Sequence, residues 1–204
     1  MTDYKMKVHG RLTSNEPYSW TWHITSNQTA AALVTTMAAA LSDMWTNGTY
    51  GVGSQYAPGI RLDSFDIITL DGTFQETTKA SHTLGLVGTS ADAPLSDKTT
   101  IVVKKVSGGL KRNQRGFTKL PAPVEGVLSN GLYTTVARDR FTTAMRAVLA
   151  AITADGSTLF VHVGKNATKG GIPAYTKTVI SDVTCSNKPG SQRKRMNKVV
   201  GVYS

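Results

Sequence analysis

Tyr18-Ser-Trp-Thr-Trp-His-Ile-Thr alternates without a break: Tyr18, Trp20, Trp22 and Ile24 fall on one side, Ser19, Thr21, His23 and Thr25 on the other. Period two with an aromatic face predicts a half-buried strand. The period then changes. Leu33, Met37, Leu41, Met44 and Trp45 recur at helical spacing, with Ser26 or Asn27 as the expected cap and Gly48 as the stop. A stripe of this kind reads as core rather than as a cofactor box. The Gly-rich run at 49–59, TYGVGSQYAPG, is followed by a strand pattern (Ile60 to Leu70) and lacks a Lys-Ser or Lys-Thr pair, so it reads as a connection and not a phosphate cradle.

Strand patterns follow at 73–79 and 82–88, then a polar loop at 89–97 and a β-branched strand at 99–106. Residues 107–123, SGGLKRNQRGFTKLPAP, have no helical period and predict a long loop. Asn130-Gly131 marks a turn. A second helix is expected from a cap at Asp139 to Thr153, with Phe141, Met145, Val148, Leu149 and Ile152 as its buried stripe and Asp155-Gly156 as its end. A short strand at 159–163, a basic loop at 164–174, a strand at 174–185 and a final VVGVYS complete the pattern. Six or seven strands with two amphipathic helices and no regular βαβ alternation predict an α+β fold, mainly antiparallel sheet or sandwich. At 204 residues and 40% hydrophobic composition the chain is expected to fold as one domain with a real core.

Charge sharpens this picture. The formal net charge is +10, and it is segregated. Between Asp97 and Glu125 there is no acid but seven cations: Lys98, Lys104, Lys105, Lys111, Arg112, Arg115 and Lys119. After Asp155 the single acid Asp182 faces eight cations, four of them in the closing segment as Arg193, Lys194, Arg195 and Lys198. Such a distribution makes a local field that attracts polyanions. Neither basic stretch is helical in pattern, which argues against a recognition helix, and Phe117 alone supplies aromatic interleaving. Phosphate contact without sequence readout is the expected mode. The same cations, on a loop made extensible by Gly108, Gly109, Gly116, Pro121 and Pro123, also suit contacts to a neighbouring subunit. Val199, Val200, Val202 and Tyr203 after the last cluster predict a docked strand over 190–204 rather than a free tail.

Candidate chemistry is sparse. The chain has no HExxH, GxSxG, GxxxxGK[ST] or CxxC, and its four histidines (His9, His23, His82, His162) are dispersed. His23 and His162 lie inside strand patterns, where a structural role is expected. Simple alternation sends Asp63 and Asp66 to opposite faces, so no carboxylate pair is expected. Cys185 stands alone, which removes any internal disulfide or multi-cysteine zinc site. Three Asn-X-Thr matches (Asn27, Asn47, Asn166) read as coincidence in so Thr-rich a chain. The expectation is a protein that is not an enzyme and has no catalytic residue, no metal, no cofactor and no small-molecule substrate. Nor does it predict a membrane span, since no run of about 18 apolar residues occurs, and the N-terminus lacks the apolar core of a secretory leader.

The run TTIVVKKVSGGLKRNQRGFTKLPAP joins a strand to an Arg-containing loop with an Arg-Gly dipeptide, an aromatic and a Leu-Pro. With the later helix and the closing GSQRKRMNKV, it is similar to a group of small virion proteins of phage-like and environmental viruses, over residues 99–204 in ordered pieces. The chain departs at Arg193-Lys194-Arg195, where three arginines would complete the pattern. The resemblance implies a self-assembling virion component without saying which one; taken with the segregated charge and the absence of catalytic motifs, the expectation is a coat or capsid-type subunit made in a host cytoplasm, or alternatively a head–tail connector or tail terminator ring. The partners it implies are further copies of the chain and the viral genome. On charge alone, a cellular nonspecific nucleic-acid-binding protein is the remaining alternative. The expected contact residues are Lys104, Lys105, Lys111, Arg112, Arg115, Lys119, Arg193, Lys194, Arg195 and Lys198.

Overall fold

The computed structural model describes residues 1–90, 100–106, 117–121, 135–164 and 175–185. The fold is α+β, as the pattern predicts. Nine strands are present among the described residues: β1 (Thr2–Arg11), β2 (Pro17–Ser26), β3 (Arg61–Leu70), β4 (Glu76–Val87), β5 (Thr100–Val106), β6 (Phe117–Pro121), β7 (Thr158–Gly164), β8 (Tyr175–Val179) and β9 (Asp182–Cys185). Helix α1 spans Ala30–Thr46 and α2 spans Thr135–Thr153. The strands form an antiparallel six-stranded sheet, in the order β4-β3-β1-β2-β7-β8, and a three-stranded sheet, β6-β5-β9.

The central strand β1 is one that the sequence reading does not pick out. Tyr4, Met6 and Val8 alternate as they should, but Lys5, Lys7 and His9 between them lower the apolar density until the run looks like a polar terminus. Its pairing with both β2 and β3 is what buries the three. In β2, Trp20, Trp22 and Ile24 point to the same interior, as the alternation predicts. Both helices lie against that face: α1 packs on β3 and β4, α2 on β7, and the two on each other. Leu33, Met37, Leu41, Met44 and Trp45 from α1 meet Phe141, Met145, Val148, Leu149 and Ile152 from α2 in one buried cluster.

Several boundaries move, each for a local reason. Helix α1 is capped by Thr29, whose Oγ1 accepts from the Ala32 N–H at 3.2 Å. Ser26 instead accepts from Gln28 and bonds the Ser157 hydroxyl across to the residue preceding β7. Helix α2 begins four residues before Asp139, which therefore lies inside it rather than at its start. The patterns at 73–79 and 82–88 are one edge strand, β4. The 107–123 segment includes strand β6, so it is not all loop. The run at 174–185 breaks at Ile180, whose N–H donates to the Leu159 carbonyl at 2.8 Å. One half then joins β7 and the other joins β5.

A bulge corrects the reading of the aspartates. Across β1 and β3, His9 opposes Ser64 while Gly10 opposes Leu62, leaving Asp63 as the extra residue. The parity of β3 resets there. Leu62, Phe65 and Ile67 stay inside, and Asp63 and Asp66 emerge together on the outer face.

Candidate functional surfaces

The outer face of the six-stranded sheet collects the alternate residues of β1: Asp3, Lys5, Lys7, His9 and Arg11. Most of these charges are closed within the chain. Arg11 makes a two-pronged contact with Asp63, Nε to Oδ2 at 2.9 Å and Nη2 to Oδ1 at 3.1 Å. Lys5 donates to Glu76 at 2.5 Å and Lys177 to Asp3 at 2.5 Å, with Thr25 donating a second bond to Asp3. Lys177 also lies 5.3 Å from the centroid of Phe160 and 5.9 Å from that of Phe74. Phe160 sits on the outer face opposite His23, yet it is only 1% exposed. The β3–β4 hairpin loop accounts for this. It carries Phe74 at φ 63° and sets its ring 6.3 Å from Phe160, edge on. Asp71 holds that loop, accepting from the Thr73 N–H, the Thr73 hydroxyl and the Gln75 N–H.

The closest approach to catalytic geometry is His9, Asp66 and Ser81. His9 Nε2 lies 3.1 Å from Asp66 Oδ2, and the Ser81 hydroxyl donates to Asp66 Oδ1 at 2.6 Å. The order is wrong for a nucleophile relay, in which the histidine must stand between serine and carboxylate. Here the carboxylate is central. Burial alone would raise the Asp66 pKa, but the Ser81 hydroxyl, then His9 and Lys79, hold it below the usual carboxylate range. The one carboxylate ties β1, β3 and β4 together through His9 and Ser81. Among the described residues no group of three His, Cys, Asp or Glu side chains is placed to hold a metal ion. No helix among them is long and apolar enough to cross a membrane.

These pairings give a pH prediction. Asp66 and Asp182 are both held below the ordinary carboxylate value, Asp182 chiefly by a two-pronged contact from Arg146 at 2.7 and 2.6 Å. A depressed folded-state pKa contributes stability that is present above the unfolded value, near 4, and lost as pH falls through the folded value. The denaturation midpoint in urea should therefore be flat from pH 7 to about 5 and fall steeply below about 4. Asp66→Asn should lower the plateau and make the acid limb shallower; an unchanged limb would show that Asp66 does not couple to folding.

The predicted basic residues divide into two groups. Lys104 opposes Phe117 and Thr184, Lys105 opposes Val183, and Lys119 opposes Val102. Alternation then puts Lys104 and Lys119 on one face of the three-stranded sheet and Lys105 on the other. The small sheet thus separates two neighbours in sequence and joins two residues fifteen apart, a register that no single-strand pattern reveals. Lys111, Arg112, Arg115, Arg193, Lys194, Arg195 and Lys198, and with them the docked strand expected over 190–204, lie outside the described residues.

Charge accounting follows the same division. Residues 1–90 hold seven acids against five cations, and Lys5, Arg11 and Lys79 of those five are ion-paired on the outer face. Residues 91–204 hold six acids against 18 cations. The whole positive excess thus belongs to the second part of the chain. What the fold and the charge count define is an α+β protein whose six-stranded sheet pairs much of its own charge and whose positive excess falls past residue 90 in sequence. Comparison with protein-family models, with curated proteins and with solved structures gives no match in any of the three.

Proposed function

We propose that this protein is a virion structural subunit, most simply of the coat or capsid type, which assembles with copies of itself and meets nucleic acid through its cation-rich part. The observation that carries the reading is the division of charge. The sheet formed largely by residues 1–90 neutralises its own ions, while 18 cations against six acids lie beyond residue 90. A shell subunit needs these two properties at once: surfaces that tolerate identical neighbours, and an excess of positive charge to offset packaged phosphate. Lys104 and Lys119, together on one face of the small sheet, and the basic residues at 111–115 and 193–198 are the proposed contacts. They would bind backbone phosphate without reading bases.

Purified protein, studied by electron microscopy and light scattering with an absorbance ratio to detect nucleic acid, tests this. Closed particles of uniform size that retain nucleic acid are the expected result. A monodisperse monomer of about 22 kDa at high concentration would sink the proposal. A ring of six or twelve copies without nucleic acid would replace the coat role with a connector or terminator role.

A further inference from the structure

Strand β4 is one edge of the six-stranded sheet and is twelve residues long. Its residues are exposed or half-buried along their whole length, and no strand pairs with its free side among the described residues. Natural edges of this length are usually blunted with several lysines, proline, or a bulge near the middle. In ETTKASHTLGLV there is no proline and a single lysine, Lys79, which lies 3.7 Å from its own Asp66. Glu76, the other charge, is bound by Lys5. Breaks do occur, at Thr77–Thr78 and at Leu84–Gly85 (φ 62°), where in each case two residues of β4 oppose one of β3, but they sit toward the two ends and leave 79–83 regular.

Beneath this edge lies α1, whose Trp45 Nε1 donates to the Val87 carbonyl at 3.2 Å. Helix α1 has 17 residues and one charge, Asp43. Its exposed positions include Ala31, Ala32, Thr35 and Ala39. A solvated helix face normally carries charge and long polar side chains. This one is built mostly of small residues, carries its single charge, Asp43, near its C-terminal end, and is set beside the β4 edge.

We infer that the β4 edge pairs antiparallel with β4 of a second copy of this chain, about a two-fold axis at Ala80 or Ser81, joining two six-stranded sheets into one of twelve strands. The inference rests on the self-association part of the function proposed above. The occupant is a second copy because of charge. A molecule of net charge +10 repels itself, and β4 with α1 belongs to the part of the chain where acids and cations nearly balance and the edge charges are already neutralised internally. The register follows from symmetry. A two-fold pairing opposes one residue to its own copy, and a centre at Lys79 would set like charges face to face. At Ser81, Lys79 of one copy faces Thr83 of the other, and the two Lys79 side chains stand about 13 Å apart along the strands. A strand pair alone buries less than the ~1,200 Å² a stable dimer needs. The same axis brings α1 beside its copy, where small residues permit the 8–10 Å spacing typical of packed helices.

Single-cysteine chains in a Cys185→Ser background test this directly. On mild oxidation, Ala80→Cys or Ser81→Cys should give a covalent dimer and Thr77→Cys should not. In parallel, Thr83→Lys and Ala39→Glu should each weaken association at least tenfold by sedimentation while leaving the circular dichroism melt of the folded chain intact. No cross-link at either central position, or unaltered association in both charge variants, overturns the inference. Particles that form without a cross-link at residues 80 or 81 would reject this edge and leave assembly standing. Covalent dimers that build no particle would keep the edge and reject the shell.

Discussion

Gly10→Val should unfold the protein at temperatures where the wild type is intact, with a loss of roughly 2–4 kcal/mol from overpacking and a broken hydrogen bond. Gly10 is buried in β1, directly opposite Tyr18 on β2 and Leu62 on β3. The Tyr18 ring lies across it, and its hydroxyl donates to the Arg61 carbonyl at 2.7 Å. A Cβ at Gly10 would stand 2.3 Å from that same carbonyl oxygen and 2.4 Å from Tyr18 Cζ. One obstacle is backbone and cannot swing aside; the other is a ring held from both ends. The glycine is therefore required by close approach, not by its dihedral angles. A double-mutant cycle with Tyr18→Ala isolates the ring: Gly10→Ala should cost clearly less in that background. Equal costs in both backgrounds would place the whole strain on the Arg61 carbonyl.

Trp22→Ala should cost about 3–5 kcal/mol in chemical denaturation, the range for truncating a large aromatic in a packed interior. Trp22 is 1% exposed at the centre of β2, between Met6 on β1 and the helix layer. Its indole N–H has no hydrogen-bond partner among the described residues. An unpaired buried donor carries a desolvation penalty of its own. Trp22→Phe should therefore cost less than its lost volume suggests, under about 1.5 kcal/mol, since it removes the penalty with the ring. A phenylalanine variant as unstable as the alanine one would mean that the N–H is satisfied in solution, by a water for example, and that the site is filled by shape rather than tolerated.

Legibility in the sequence followed how far each residue's partner lay along the chain. The β2 alternation and the two helical stripes were readable because every residue that decides them lies within one element. The central strand was not. Tyr4, Met6 and Val8 alternate correctly, but their interleaved cations belong to a face that becomes sensible only when Asp63, Asp66 and Glu76 arrive opposite. Asp63 itself was unreadable in principle: its side is set by a bulge against β1, and a bulge is a property of two strands. The burial of Phe160 is similar, since it depends on Phe74 from a hairpin loop and Lys177 from β8. The excess of positive charge, by contrast, needed only counting. Alternation within β5 alone separates Lys105 from Lys104, but setting Lys119 on the face of Lys104 needed the β5–β6 register.

The strand order has a temporal side as well. Four strands, β4-β3-β1-β2, and α1 come from the first ninety residues, so this part of the sheet closes without any residue beyond them, its most distant strand pairing being Asp3 with Leu70. The other two strands join at β2, where Ser26 meets Ser157 across 131 residues, and Lys177 reaches Asp3 across 174. Loop-closure entropy grows only logarithmically with length, so these late contacts weaken the finished molecule little. They act on the route instead, because distant pairings form slowly. A growing chain therefore carries β2 as an open edge, with Trp20, Trp22 and Ile24 on its inner side, until about 70 more residues past Ser90 have been made and β7 can cover it.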